Sequence, residues 1–158
     1  MTGSLAAAAV HTAAALHAAA VPTEVPLAAT GTQRAMWLLL AFPLFGAAVL
    51  LLGGRRTNRW GHWLGVLMPV AAFAYAVAAY VQMLGYPGGQ RSRQLMMFTW
   101  IHVGRFNVPA ALQLDQLSIC FVLLITGVGS LIHIFAVGYM SHDRERRRFF
   151  GYMNLFVA

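Results

Sequence analysis

Polar and apolar positions divide this chain into long apolar runs joined by short polar segments. The first run, Ala35 to Leu52, reads AMWLLLAFPLFGAAVLLL and carries no charged residue. At 1.5 Å per residue it is about long enough to cross a hydrocarbon core of roughly 30 Å. Pro43 lies within it, which a transmembrane helix tolerates when neighbours satisfy the freed carbonyl. Gly53 and Gly54 end the run, and Arg55, Arg56 and Arg59 follow. The second run spans about Trp63 to Leu84, with Ala72, Ala76 and Ala79 at helical spacing. Small residues so placed let helix backbones approach closely in lipid, although alanine is also simply abundant in this chain. The third run spans about Leu117 to Tyr139. After the polar segment Ser141 to Arg148, an apolar run restarts at Phe149 and continues to Ala158. A spanning helix needs about twenty residues. The pattern therefore predicts three full transmembrane helices plus the start of a fourth, at 149–158, in a polypeptide that is naturally longer or has been truncated.

Residues 85–116 follow a different period. Gly85, Pro87, Gly88 and Gly89 open a loop that contains Arg91 and Arg93. Phe98, Trp100 and His102 then alternate with Thr99, Ile101 and Val103, and Phe106 to Leu114 is again extended in character. A period of two predicts strands. A lone hairpin in lipid would leave backbone groups unpaired, so the prediction is a β-hairpin on the outer membrane surface, between helices 2 and 3.

Residues 1–33 are rich in Ala and Thr and include Pro22 and Pro26. The basic n-region of a signal peptide is missing. This segment is expected to be a poorly ordered or weakly helical extension, with 34–158 forming the membrane region.

Composition settles the solvent. Of the 158 residues, 59% are hydrophobic and 9% charged, against about 25% charged in soluble domains. The fold class expected is therefore an all-α integral membrane protein rather than a soluble enzyme. The net charge is +7 and every basic residue is arginine. These arginines flank apolar runs, which points to the bilayer and excludes nucleic acid as the partner. Arg55, Arg56, Arg59, Arg144, Arg146, Arg147 and Arg148 fall on one side of the predicted membrane. Arg34, Arg91, Arg93 and Arg105 fall on the other. The positive-inside rule puts the first group in the cytoplasm. The expected location is thus a bacterial inner (plasma) membrane, multi-pass, with the N-terminus outside.

Candidate chemistry is sparse. Thr126, Ser130 and His133 recur at i, i+4 and i+7 and share one face of the third span. An imidazole there could join a proton path or hydrogen-bond and pack a neighbouring helix. The packing reading is preferred. Asp115, with Ser118 three residues on, reads as the cap of the third span. Arg144, Arg146, Arg147 and Arg148 read as a topology signal or a contact for anionic lipid. Cys120 stands alone, His102 reads as a surface residue of the hairpin, and His11, His17, His62 and His142 lack metal-site spacing. No phosphate-binding loop, dinucleotide fingerprint or cysteine cluster is present.

From Leu114 onward the residues resemble a known family. The telling pieces are LDQLS at Leu114–Ser118, TGVGSLIH at Thr126–His133 and RFFGYMNLF at Arg148–Phe156. They resemble the start of chain L, the large antiporter-like subunit of bacterial respiratory complex I. Similarity extends back to about residue 34 and includes Phe98-Thr99-Trp100. The lysine-free style is like that of actinobacterial members. The resemblance implies a many-span helical subunit with an outward N-terminus, acting with other membrane subunits of complex I. It implies a role in coupling NADH oxidation and quinone reduction to proton translocation. NADH, FMN, iron–sulfur clusters and quinone would be bound by other subunits, so no cofactor is expected in this chain. The family's proton path uses a glutamate and several lysines in later spans, which would lie beyond Ala158. No catalytic residue is carried over. Two alternatives remain: the large subunit of a multi-subunit Na+/H+ antiporter, and a truncated structural or assembly protein of the membrane.

Overall fold

Why each apolar run becomes a helix follows from its solvent: in lipid a backbone must satisfy its own polar groups. The computed structural model describes residues 26–158. Most of the Ala-rich extension, with His11 and His17, lies outside the described residues. In chain order the elements are β1 (Leu27–Ala28), α1 (Leu38–Leu52), α2 (Gly61–Leu84), β2 (Arg93–Val103), β3 (Phe106–Leu114), α3 (Gln116–Tyr139) and α4 (Arg146–Val157). Three helical stretches are long and apolar enough to cross a membrane: Gly31–Leu52, Gly61–Leu84 and Gln116–Tyr139. The first joins a 3-10 turn at Gly31–Ala35 to α1. α4 begins at Arg146, three residues before the apolar run at Phe149. Arginine is a good helix former, so the polar segment itself supplies the first turn.

The chain is mostly helical, and its β structure is a three-stranded sheet in the order β1-β2-β3. β2 and β3 pair antiparallel from Arg93↔Leu114 to Val103↔Phe106, with register shifts between Met96 and Phe98 and between Thr99 and Ile101. The strict alternation seen in the sequence is thus broken by bulges. Gly104, at φ +58°, takes the first turn position, where a two-residue hairpin requires positive φ.

Residues 26–33, which the sequence assigns to the extension, contribute to the fold. Leu27 and Ala28 pair parallel with Arg93 and Gln94. Arg93 ties this corner together. Its Nη1 donates to the Ala28 carbonyl at 3.2 Å, and its guanidinium lies 4.4 Å over the Tyr86 ring, a cation–π contact.

Two apolar clusters sit at opposite ends of the helices. Ala29, Met36, Ala79, Met83, Leu114 and Ile119 meet beneath the sheet. Leu50, Ala136 and Phe150 meet at the far end. α2 packs against α1, α3 and α4, and Ala72, Ala76 and Ala79 are fully buried, so the small-residue strip serves as a packing surface. Elsewhere the helices expose Leu44, Phe45, Leu67, Phe121, Leu131 and Phe135. Between helices in lipid, apolar burial yields no hydrophobic gain, so close approach and hydrogen bonds decide the packing.

Candidate functional site

The face of α3 singled out by spacing is buried. Thr126, Ser130 and His133 are 4%, 5% and 0% exposed. Each bonds a carbonyl of its own helix one turn back. Thr126 Oγ1 donates to Val122 at 2.6 Å, Ser130 Oγ to Thr126 at 2.6 Å, and His133 Nδ1 to Gly129 at 2.7 Å. Their polar groups are therefore satisfied locally, as a buried polar group in lipid requires.

One residue that the sequence reading quoted only within RFFGYMNLF, without a role, completes the cluster. Asn154, on α4, is fully buried. Its Nδ2 donates to the Gly65 carbonyl of α2 at 2.9 Å and to the Phe150 carbonyl of its own helix at 2.9 Å. It lies 3.4 Å from His133 Nε2 on α3. The fourth helix, α1, arrives through Gly46. A Cβ added there would come within 2.8 Å of Asn154 Oδ1. A Cβ on Gly65 would sit 2.9 Å from the Phe150 Cβ, and the Phe150 ring centroid lies 6.0 Å from that of His133. Four helices thus converge on one carboxamide, and two glycines permit the approach. The signals were visible but separate: an asparagine inside an apolar run, and Pro69 four residues after Gly65.

At the mouth of α3, Asp115 caps the helix as its spacing predicts. Its Oδ1 accepts the Ser118 backbone N–H at 2.7 Å. That bond holds the carboxyl below its ordinary value, helped by the Ser118 side chain and opposed by partial burial.

The four arginines at the other end divide by role. Arg147 donates to the carbonyls of Leu50 and Leu51, the latter at 3.3 Å. Arg146 Nη2 reaches the Asn58 carbonyl at 3.5 Å. Arg148 pairs with Glu145 at 3.1 Å, both side chains well exposed, and Arg144 is exposed. Among the described residues no three His, Cys, Asp or Glu side chains are grouped to hold a metal ion. The chemistry available at the junction is hydrogen bonding.

Residues 100–150 match the family model described as NADH-ubiquinone oxidoreductase (complex I), chain 5 N-terminus. That segment runs from the hairpin through all of α3 and into α4. Over most of its length the chain is similar to proteins described as NADH-quinone oxidoreductase subunit L. The subunit L of Mycobacterium tuberculosis (strain H37Rv) is 58% identical over 122 residues, covering 77% of this chain and 19% of that protein. The subunit L of Escherichia coli (strain K12) is 33% identical over 123 residues, covering 77% and 20%. The NADH-ubiquinone oxidoreductase chain 5 of Hypocrea jecorina is 29% identical over 120 residues, covering 75% and 17%. The chain therefore spans about one fifth of the length of these subunit L relatives. The resemblance read from the residues alone is the one these comparisons return.

Proposed function

We propose that this chain contributes part of the membrane arm of a proton-pumping NADH:quinone oxidoreductase. The observation that carries this reading is the 58% identity to a subunit L over 122 residues. In this reading the chain helps couple NADH oxidation and quinone reduction to proton translocation. NADH, FMN, iron–sulfur clusters and quinone are bound by other subunits. Its partners are the other membrane subunits of the complex and the lipid bilayer. The chain has no lysine, and α3 has no acid, so the residues here supply scaffold and packing rather than a charged proton path.

In the same reading α1, α2 and α3 cross a bacterial plasma membrane, α4 begins a fourth span, and the N-terminus and hairpin face outward. The seven arginines on the opposite side support this orientation. Cysteines introduced at Arg91 and at Arg146, with Cys120 replaced by Ser, test it. An impermeant thiol reagent applied to intact cells should label position 91 and not 146; the reverse pattern overturns the orientation.

The function is tested by affinity purification of this chain, tagged, from its native membranes. NADH-driven quinone reduction should co-purify. Recovery with partners that exchange Na+ for protons without redox activity would favour the antiporter assembly. Recovery of the chain alone would favour a structural or assembly role.

A further inference from the structure

The buried junction also fixes something the family resemblance does not address: which nitrogen of His133 carries a proton. A carbonyl oxygen can only accept, so His133 Nδ1, 2.7 Å from the Gly129 carbonyl, is the protonated nitrogen. The other nitrogen, Nε2, faces the Asn154 carboxamide across 3.4 Å. Which end of that carboxamide it meets is decided by two further carbonyls. Asn154 Nδ2 lies 2.9 Å from both the Gly65 and the Phe150 oxygens. Rotating the amide by half a turn would set Oδ1 against two acceptors and forfeit both bonds. The Gly65 oxygen holds this orientation firmly. In a regular helix it would accept the N–H of residue 69, and residue 69 is proline. A donor, NH2, therefore faces His133 Nε2, and an N–H on that nitrogen would meet another N–H. Both side chains are fully buried.

We propose that Asn154 is a positioning residue for His133, holding its imidazole as the neutral Nδ1–H tautomer with Nε2 unprotonated against the Asn154 NH2. In this arrangement His133 packs its unprotonated Nε2 against the Asn154 amide nitrogen, and it does not hand on a proton. A proton on Nε2 requires the Asn154 amide to turn, which gives up the α4–α2 bond to Gly65. The contact is long because both Nδ2 protons are already directed at carbonyls. The inference concerns the folding of this chain on itself, so it stands or falls independently of the membrane-arm reading.

The test is solid-state 15N NMR of the purified 158-residue chain, labelled at histidine and reconstituted in phosphatidylcholine bilayers. A His133→Gln sample assigns the signals by difference. His133 is expected to give one population, with Nδ1 of the protonated type and Nε2 of the unprotonated type. An Nε2–H tautomer, an imidazolium or a mixture near neutral pH overturns the proposal. An Asn154→Asp variant asks whether residue 154 is the cause. An oxygen then faces His133, and the Nε2 signal should move to the protonated type; an Nε2 signal unchanged from wild type overturns the positioning role. The wild-type spectrum decides the tautomer by itself should the variant fail to fold.

Discussion

Asn154 supplies to the Gly65 carbonyl the hydrogen bond that Pro69 cannot. Pro69 lies inside α2, and its ring nitrogen has no N–H for the carbonyl four residues earlier. The Asn154 Nδ2, 89 residues further along the chain, fills that place at 2.9 Å. Proline within a membrane helix is tolerated when a neighbour satisfies the freed backbone group, and here that neighbour is one named side chain.

This relationship predicts a coupling. Asn154→Leu leaves the Gly65 oxygen buried and unpartnered, at a cost of about 1–3 kcal/mol. In a Pro69→Ala background the helical N–H returns, and the same Asn154→Leu change should cost less by about 1 kcal/mol. Thermal unfolding of the four proteins in mild detergent gives the cycle. Strict additivity would show that Asn154 and the proline act separately.

Gly65 is predicted to be intolerant of any side chain. An added Cβ would lie 2.9 Å from the Cβ and Cδ1 of Phe150, so Gly65→Ala must push α2 and α4 apart. The expected loss is about 1–3 kcal/mol. Gly138 is the control, because nothing lies within 4 Å of a Cβ there. Gly138→Ala should be neutral or stabilise by up to about 1 kcal/mol through helix propensity. Equal melting temperatures for the two variants would contradict the close-packed junction.

Neighbouring arginines should behave differently. Arg147 holds the last carbonyls of α1, which otherwise lack partners at a helix C-terminus. Arg147→Ala should cost about 1–2 kcal/mol, combining charged hydrogen bonds with the helix dipole. Arg148 makes only an exposed pair with Glu145, so Arg148→Ala should change stability by less than about 0.5 kcal/mol. A larger loss at Arg148 than at Arg147 would refute this division.

Asp115 should make stability depend on pH in one direction. Its folded carboxyl lies below the ordinary value of 3.8 because the Ser118 N–H binds the charged form. Its contribution is therefore fully present above 3.8 and is lost as pH falls through the lowered folded value. Asp115→Ala should cost about 1 kcal/mol near neutral pH. Asp115→Asn keeps an acceptor oxygen and should lose only the acid-side dependence. Melting curves of the three proteins across the acid range check this, and parallel wild-type and Asp115→Asn profiles would count against it.

Where the helices lie was legible in the sequence, since length and apolarity set a span without reference to any partner. The runs at 35–52, 63–84 and 117–139 reappear as helical stretches at Gly31–Leu52, Gly61–Leu84 and Gln116–Tyr139. Capping is local too, so Asp115 was readable from its distance to Ser118. The third strand was not readable, because Leu27 and Ala28 gain strand character only by pairing with Arg93 and Gln94. α4 was placed late, because its first turn is arginine and its anchor, the Leu50 carbonyl, lies 97 residues away.

By itself the sequence determined that this is a membrane protein, which stretches are long and apolar enough to cross a bilayer, and which polar residues share a helix face. These follow from composition and from the 3.6-residue period of one helix at a time. Only the tertiary structure decided what those faces meet. Periodicity orients a side chain about its own axis and carries no information about the helix opposite. That Thr126, Ser130 and His133 are buried, that His133 meets Asn154, and that Gly65 needs Asn154, depends on backbones brought together at Gly46 and Gly65.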